Sequence, residues 1–319
     1  MHKRLILAVL AISAAALVAG CLETRQEFTL NPDGSGKVVF EAVIDDMMMN
    51  IAPTEPVDQE VRGKQIARQI LDSSAGVDAW SDVLISKTDD SRIRFRGTAY
   101  FKEFGKLKFQ SANFQGLSFR KDDKGGMVLS LDETGGDKKD APPPAKPSDE
   151  EIAKRIADQR AKIQQMRPIL ELAMAKMKME LAFRLPGTLA ESTNFQKDPS
   201  GALKIVIDGA KLLQVLDQLA ADDTYMREVV LAGGDVGQGG PKMNLAANEK
   251  LFGEKAPVRA RVTGDLKPLF AYDSEVKAAK DNYPKMIERL GLEKSPAPTP
   301  PTTPPGGGAT GGSPPSSAK

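Results

Sequence analysis

Four pairs of adjacent carboxylates, Asp45-Asp46, Asp89-Asp90, Asp122-Asp123 and Asp222-Asp223, are the residues most suggestive of acid–base chemistry. Glycoside hydrolysis needs two carboxylates about 5–10 Å apart across a cleft, usually beside aromatic platforms for the sugar. Neighbours in sequence do not make that arrangement, and three of the pairs fall in segments that read as turns, where Asp is favoured. Aromatic residues are only 5% of the chain, and Trp80 is the single tryptophan. The run Asn31-x-Asp33-x-Ser35-Gly36 alternates oxygen side chains like the start of a calcium loop. The twelfth position, which should be a bidentate glutamate, is Ala42, and turn chemistry explains the run without a cation. Met47-Met48-Met49 could offer soft copper ligands, but thioethers more often fill cores. Gly233-Gly234 and Gly237–Gly240 lack the Lys-Ser/Thr of a phosphate loop, and no Ser-x-x-Lys is followed by its usual partners. No catalytic residue, metal ligand or cofactor site is expected from these patterns.

A different chemistry is written at residue 21. Lys3 and Arg4 precede an uncharged apolar run from Leu5 to Ala19, and Val18-Ala19-Gly20 sets small residues before Cys21, the only cysteine. Fifteen apolar residues fall short of the ~20 a spanning helix needs and fit the core of a secretion signal. The Val-Ala-Gly-Cys end resembles a bacterial lipobox, where the cysteine is lipidated and the preceding peptide removed. Cleavage there would also discard His2, the only histidine. Removing twenty residues from 319 leaves 299 with neither imidazole nor free thiol. Ser-His-Asp and Cys-His catalysis and Cys/His zinc sites are thereby excluded within the mature chain. Losing Lys3 and Arg4 takes 44 basic residues to 42 against 43 acidic, a balance that argues against a nucleic-acid partner. Leu22, in place of an aspartate after the cysteine, directs sorting to the outer membrane where the cell has one.

The elements that must carry these residues begin almost at the anchor. Thr24–Leu30 and Lys37–Ile44 alternate polar and apolar around Asn31-Pro32-Asp33-Gly34-Ser35-Gly36, a hairpin separated from Cys21 only by Leu22 and Glu23. Asp58–Leu71 has helical spacing. Val83–Lys87 pairs naturally with Arg92–Phe101, and Phe114–Arg120 with Met127–Leu131. The polar stretch 133–148 is a linker. Ser148, with Glu151 three residues on, opens a long helix over 149–180 that Pro168 should kink into segments of about 149–166 and 168–180. Its apolar stripe is expected to pack on the chain's own sheet. Leu181–Leu185, Ala202–Ile207 and Val258–Val262 read as strands, and Ala210–Leu219 and Ser274–Leu290 as helices. Residues 295–319 hold only Pro, Thr, Gly, Ser, Ala and one Lys, a composition that cannot bury apolar surface. The expected fold is α+β, a mostly antiparallel sheet with packed helices and one long Pro-kinked helix. Its two halves, 21–132 and 181–294, should pack together.

The hairpin after Cys21, with its Asp33-Gly34-Ser35-Gly36 turn, resembles the start of the LppM-like domain of bacterial envelope lipoproteins. Leu181-Ala182-Phe183-Arg184-Leu185-Pro186-Gly187 with the following Glu191-Ser192 and a further strand resembles a later part of it. The resemblance implies an α+β domain that binds lipid or glycolipid and brings no catalytic residues with it; the linker and long helix depart from that family's compact form. Together these readings describe a lipid-anchored, non-enzymatic envelope lipoprotein that contacts the membrane through Cys21 and binds a lipid, glycolipid or protein. The alternatives are a carboxylate-dependent hydrolase of envelope polysaccharide and a scaffold subunit docking through helix 149–180.

Overall fold

The computed structural model describes residues 22–44, 58–109, 117–131, 147–231 and 241–292. Cys21, the signal, Asp45-Asp46, Met47-Met48-Met49, nearly all of the linker, both glycine clusters and the 295–319 tail lie outside the described residues. The fold is α+β, with two mostly antiparallel sheets and six helices among the described residues. Strand β1 (Leu22–Leu30) pairs with β2 (Gly36–Ile44) from Leu22↔Ile44 to Leu30↔Gly36, the hairpin that the alternation predicts. Helix α1 (Gln59–Ser73) is capped by Asp58 and leads to β3 (Ala79–Lys87) and β4 (Ile93–Phe101), which extend the sheet on the β2 side. Strands β5 (Leu117–Lys121) and β6 (Met127–Leu131) start a second sheet.

The second half interleaves with the first. Helix α2 (Asp149–Met174) is followed by β7 (Lys178–Arg184), which lies parallel to β1 with Glu23 opposite Lys178. Strands β8 (Thr188–Thr193), β9 (Gln196–Lys197) and β10 (Leu203–Asp208) follow. Helices α3 (Gly209–Ala221), α4 (Asp223–Leu231) and α5 (Pro241–Phe252), strand β11 (Arg259–Thr263) and helix α6 (Tyr272–Leu290) complete the order. One sheet runs β3-β4-β2-β1-β7-β10-β9 and the other β5-β6-β11-β8. Both sheets draw strands from both halves, so the expected halves share hydrogen-bonded sheets as well as a packed boundary.

The cause is visible in the core. The inward face of β1 carries Phe28 and Leu30; Phe40, Phe95 and Phe183 join them from β2, β4 and β7, all essentially buried. Phe28 stacks on Phe183 at 5.1 Å, locking the parallel pair, and Phe40 stacks on Phe109 at 4.8 Å. Leu129 and Ala260 of the second sheet belong to the same cluster. At Gly36 an added Cβ would lie 2.4 Å from the Phe101 ring, so only glycine lets that ring cross the strand.

One inward position breaks the pattern. Gln26 sits between Phe40 and Leu181 in the sheet, is 0% exposed, and neither amide atom has a hydrogen-bond partner. An unpaired buried amide costs about 1–3 kcal/mol of desolvation. Gln26→Met, which keeps the shape and removes the polar atoms, should therefore raise stability by about 1–2 kcal/mol. A urea midpoint that rises with an unchanged slope would show it; a lower midpoint would mean that the amide is partnered in solution.

Helix α2 departs from expectation in length and in partner. Its capping box is as predicted: Ser148 Oγ accepts from Glu151 N at 3.2 Å, and Glu151 Oε2 accepts from Ser148 N at 3.0 Å. It runs through Pro168 as one assigned helix and ends at Met174, short of the expected 180. Residues 178–180 are strand instead, because β1 and β10 both offer them backbone partners. Met177 and Leu181 continue helical spacing on paper, but sheet pairing overrides it. The helix packs chiefly on α3 and α4, where Ile156 meets the cluster of Val215, Leu219 and Tyr225. Arg160 Nε donates to Ala220 O at 2.7 Å, Arg167 pairs with Asp217 at 2.8 Å, and Arg227 of α4 pairs with Asp149 at 2.6 Å. Where α2 and α3 meet, a Cβ on Gly209 would lie 2.1 Å from Met174 O.

Candidate functional site

The three acidic pairs among the described residues are not brought together. Asp122 Oδ1 closes the β5–β6 turn by accepting from Lys124 N at 2.9 Å and Gly126 N at 2.7 Å, and its other oxygen pairs with Arg261 of β11. That guanidinium, with the two turn amides, holds the Asp122 carboxyl below the usual carboxylate range. Asp90 lies in the β3–β4 turn, where the Thr88 hydroxyl and then Arg92 lower it likewise. Asp222 caps α4 by accepting from Tyr225 N at 3.0 Å, and Asp223 pairs with Arg160 at 2.7 Å. Each group stabilises a different turn or helix start, consistent with the turn-residue reading.

The Asn31–Gly36 turn uses its oxygens internally. Asp33 Oδ1 accepts from Ser35 N at 3.0 Å and from Ser35 Oγ at 2.6 Å. Burial pushes the Asp33 carboxyl up, but those two bonds and the nearby Lys102 outweigh it and leave the group below its ordinary value. Asn31 Oδ1 accepts from Leu269 N at 2.8 Å, and its Nδ2 donates to Phe270 O at 3.3 Å. The turn thus ties the hairpin to the segment that enters α6.

Helix α6 forms one wall of a concave surface. It is stopped by Gly291 in the left-handed region at φ 60° and lies along β3. Its Glu275, Asn282, Lys285 and Arg289, at helical spacings of seven, three and four, face Trp80 and Tyr100 across a cleft of about 420 Å³. A second groove of about 280 Å³ opens beside Lys280 and Tyr283 and shares Trp80. Trp80 is 5% exposed and its Nε1 has no partner. Beside it Asp82 adopts φ 53° where the β3–β4 register shifts between Ser81 and Leu84. Such a backbone costs energy and persists only where surrounding structure enforces it. Burial lifts the Tyr100 phenol above its usual value, and Tyr100 lies 3.5 Å from Ser81 Oγ. Arg289 donates to Val83 O at 3.0 Å, and Glu275 is ion-paired with Lys37 at 2.8 Å.

Two carboxylates, Asp82 and Glu275, do line this one cleft, though neither belongs to the pairs that the sequence highlights. Both already have partners: Glu275 pairs with Lys37 at 2.8 Å, and Asp82 accepts from the Ser81 hydroxyl at 2.8 Å within the cleft wall. The cleft therefore offers donors, acceptors and two aromatic rings, an arrangement suited to holding a polar group. Sequence reasoning singled out Trp80 only as the lone tryptophan; the spacing along 275–289 was visible, but not the strand that it would face. Among the described residues no cluster of three His, Cys, Asp or Glu side chains could hold a metal ion. No helix among them is long and apolar enough to cross a membrane.

The last two strands of the long sheet and the α2–α4 helices complete the body that presents this cleft, and the sheet's central strand begins one residue after Cys21. No family model matches the chain, and neither a curated protein nor a solved structure does.

Proposed function

We propose that this chain is a non-enzymatic lipoprotein of the cell envelope, anchored through Cys21, whose folded body binds a lipid, glycolipid or protein close to the bilayer. The observation that carries the reading is the placement of Cys21. It ends a signal-like segment and directly precedes Leu22, the first residue of β1, which sits between β2 and β7 inside the long sheet. One residue spans at most about 3.6 Å, so an acyl group on Cys21 would hold the body at the membrane surface with almost no tether. Binding in preference to turnover is supported by the residue types in the α6 cleft and by the structural duties of its two acids. The partial resemblance to the LppM-like domain supports the same ligand class, and Leu22 supports sorting to an outer membrane.

The test is the mass of the cell-made protein. A mature amino terminus at residue 21 carrying acyl groups is expected. An intact Met1 with an unmodified sulfur would end the proposal.

A further inference from the structure

We propose that the C-terminal tip of α2, presenting Ile169 and Leu172, rests in the interfacial layer of the bilayer that holds the Cys21 lipid; this rests on the anchored reading above. Leu172 is 75% exposed and Ile169 49%. Three residues apart, they lie on one helix face, while Arg160 and Arg167 hold α2 to Ala220 and Asp217 of α3 and to Asp223 of α4. Single exposed leucines are ordinary on protein surfaces. What distinguishes this ridge is its place relative to the anchor.

The sheet register sets that place. Glu23 is paired with Lys178, so the chain leaving α2 enters the sheet level with a residue two positions from Cys21. Lys178 is four residue steps from Met174, at most about 14 Å, and two further helical steps add about 3 Å. Leu172 therefore lies within about 17 Å of Lys178, and its neighbour Glu23, on the strand to which the lipid would be attached, is about 5 Å further. The same end carries Lys178 and Lys87, both exposed, whose ammonium groups can meet lipid phosphates while their stems lie along apolar surface. On the opposite flank Val61, 47% exposed, lies in the first turn of α1, whose start shares a groove with Lys87 and Ile93 at this end. Two helix ends with exposed apolar side chains thus flank the strand that leads to the anchor. The acyl chains already supply the affinity, so the role of the α2 tip is orientation: it fixes which side of the body faces lipid.

The test uses the full-length lipoprotein purified from cells. Lipidation of Cys21 leaves no free thiol, so Leu172→Cys and, separately, Ile169→Cys each create one labelling position for an environment-sensitive fluorophore. Lys106→Cys, beside the far-end contact of Phe104 N with Gly34 O, is the control. In vesicles of phosphatidylethanolamine and phosphatidylglycerol, iodide in the water should quench positions 169 and 172 several-fold less than position 106. Lipid bearing a shallow nitroxide should quench only 169 and 172. Equal iodide access at all three positions, in protein whose mass confirms the lipid, overturns the tip contact and leaves the anchor intact. A second label on Cys21 together with a lipid-free mass overturns both.

Discussion

A Cys21→Ser chain expressed in its own cell is expected to lose all incorporation of labelled palmitate and to keep residues 1–20, while its folded body is unchanged. Hydroxyl oxygen is a far weaker nucleophile than a thiolate at neutral pH, so no thioether forms and processing before residue 21 has no substrate. The membrane consequence is large. Each buried methylene contributes about 0.8 kcal/mol, and one acyl chain gives only reversible binding where two give stable anchoring. Without them the variant has only its signal segment, whose fifteen apolar residues are short of the ~20 that span a bilayer. Stability should not follow. β1 starts at Leu22, and its buried contacts run from Thr24 to Leu30. Palmitate labelling combined with a melting curve separates the outcomes. Full labelling of the serine variant would show that lipid is attached elsewhere, and an unfolded variant would show that residue 21 belongs to the core.

Local signals in the sequence carry the three hairpin pairs. The β1–β2, β3–β4 and β5–β6 hairpins each have alternating strands around a turn rich in Asp, Gly or Ser, and turn chemistry acts over a few residues. The parallel pairing of β1 with β7 has no such signature. Residues 23 and 178 meet because Phe28 and Phe183 stack in a shared core, and nothing near either residue records the other. The end of α2 departs from its spacing for a related reason. Spacing through Met174, Met177 and Leu181 suits a helix, yet β1 and β10 claim residues 178–184 for the sheet. The spacing along α2 is legible but its partners are not: 210–219 reads as a helix, yet nothing near Arg160 or Arg167 records that they meet Ala220 and Asp217. The same limit hid the α6 cleft. Ser274–Leu290 reads as a helix, but nothing in it marks Glu275, Asn282, Lys285 and Arg289 as facing β3.

Asn31→Ala should cost about 2–4 kcal/mol, although the turn around it could be built from many residues. Asn31 is 3% exposed. Its Nδ2 donates to Ser35 Oγ at 3.2 Å and to Phe270 O at 3.3 Å, and its Oδ1 accepts from Leu269 N at 2.8 Å. Alanine strips partners from two backbone groups just before α6, each with a desolvation cost of about 1–3 kcal/mol, and leaves a small void. For a chain of this size that lowers the melting midpoint by roughly 5–10 °C. Asn31→Asp should fall between, since its carboxylate still accepts from Leu269 N but cannot donate to Phe270 O. The effect should reach the cleft. Phe270 takes the Lys37 ammonium over its ring at 4.5 Å, and Lys37 in turn holds Glu275, so loosening 269–270 frees the start of α6. Amide exchange in residues 272–279 should accelerate in the alanine variant before that of β1 or β2 does. A variant within about 0.5 kcal/mol of the parent, with α6 exchange unchanged, would mean that the hairpin turn does not secure the helix that walls the cleft.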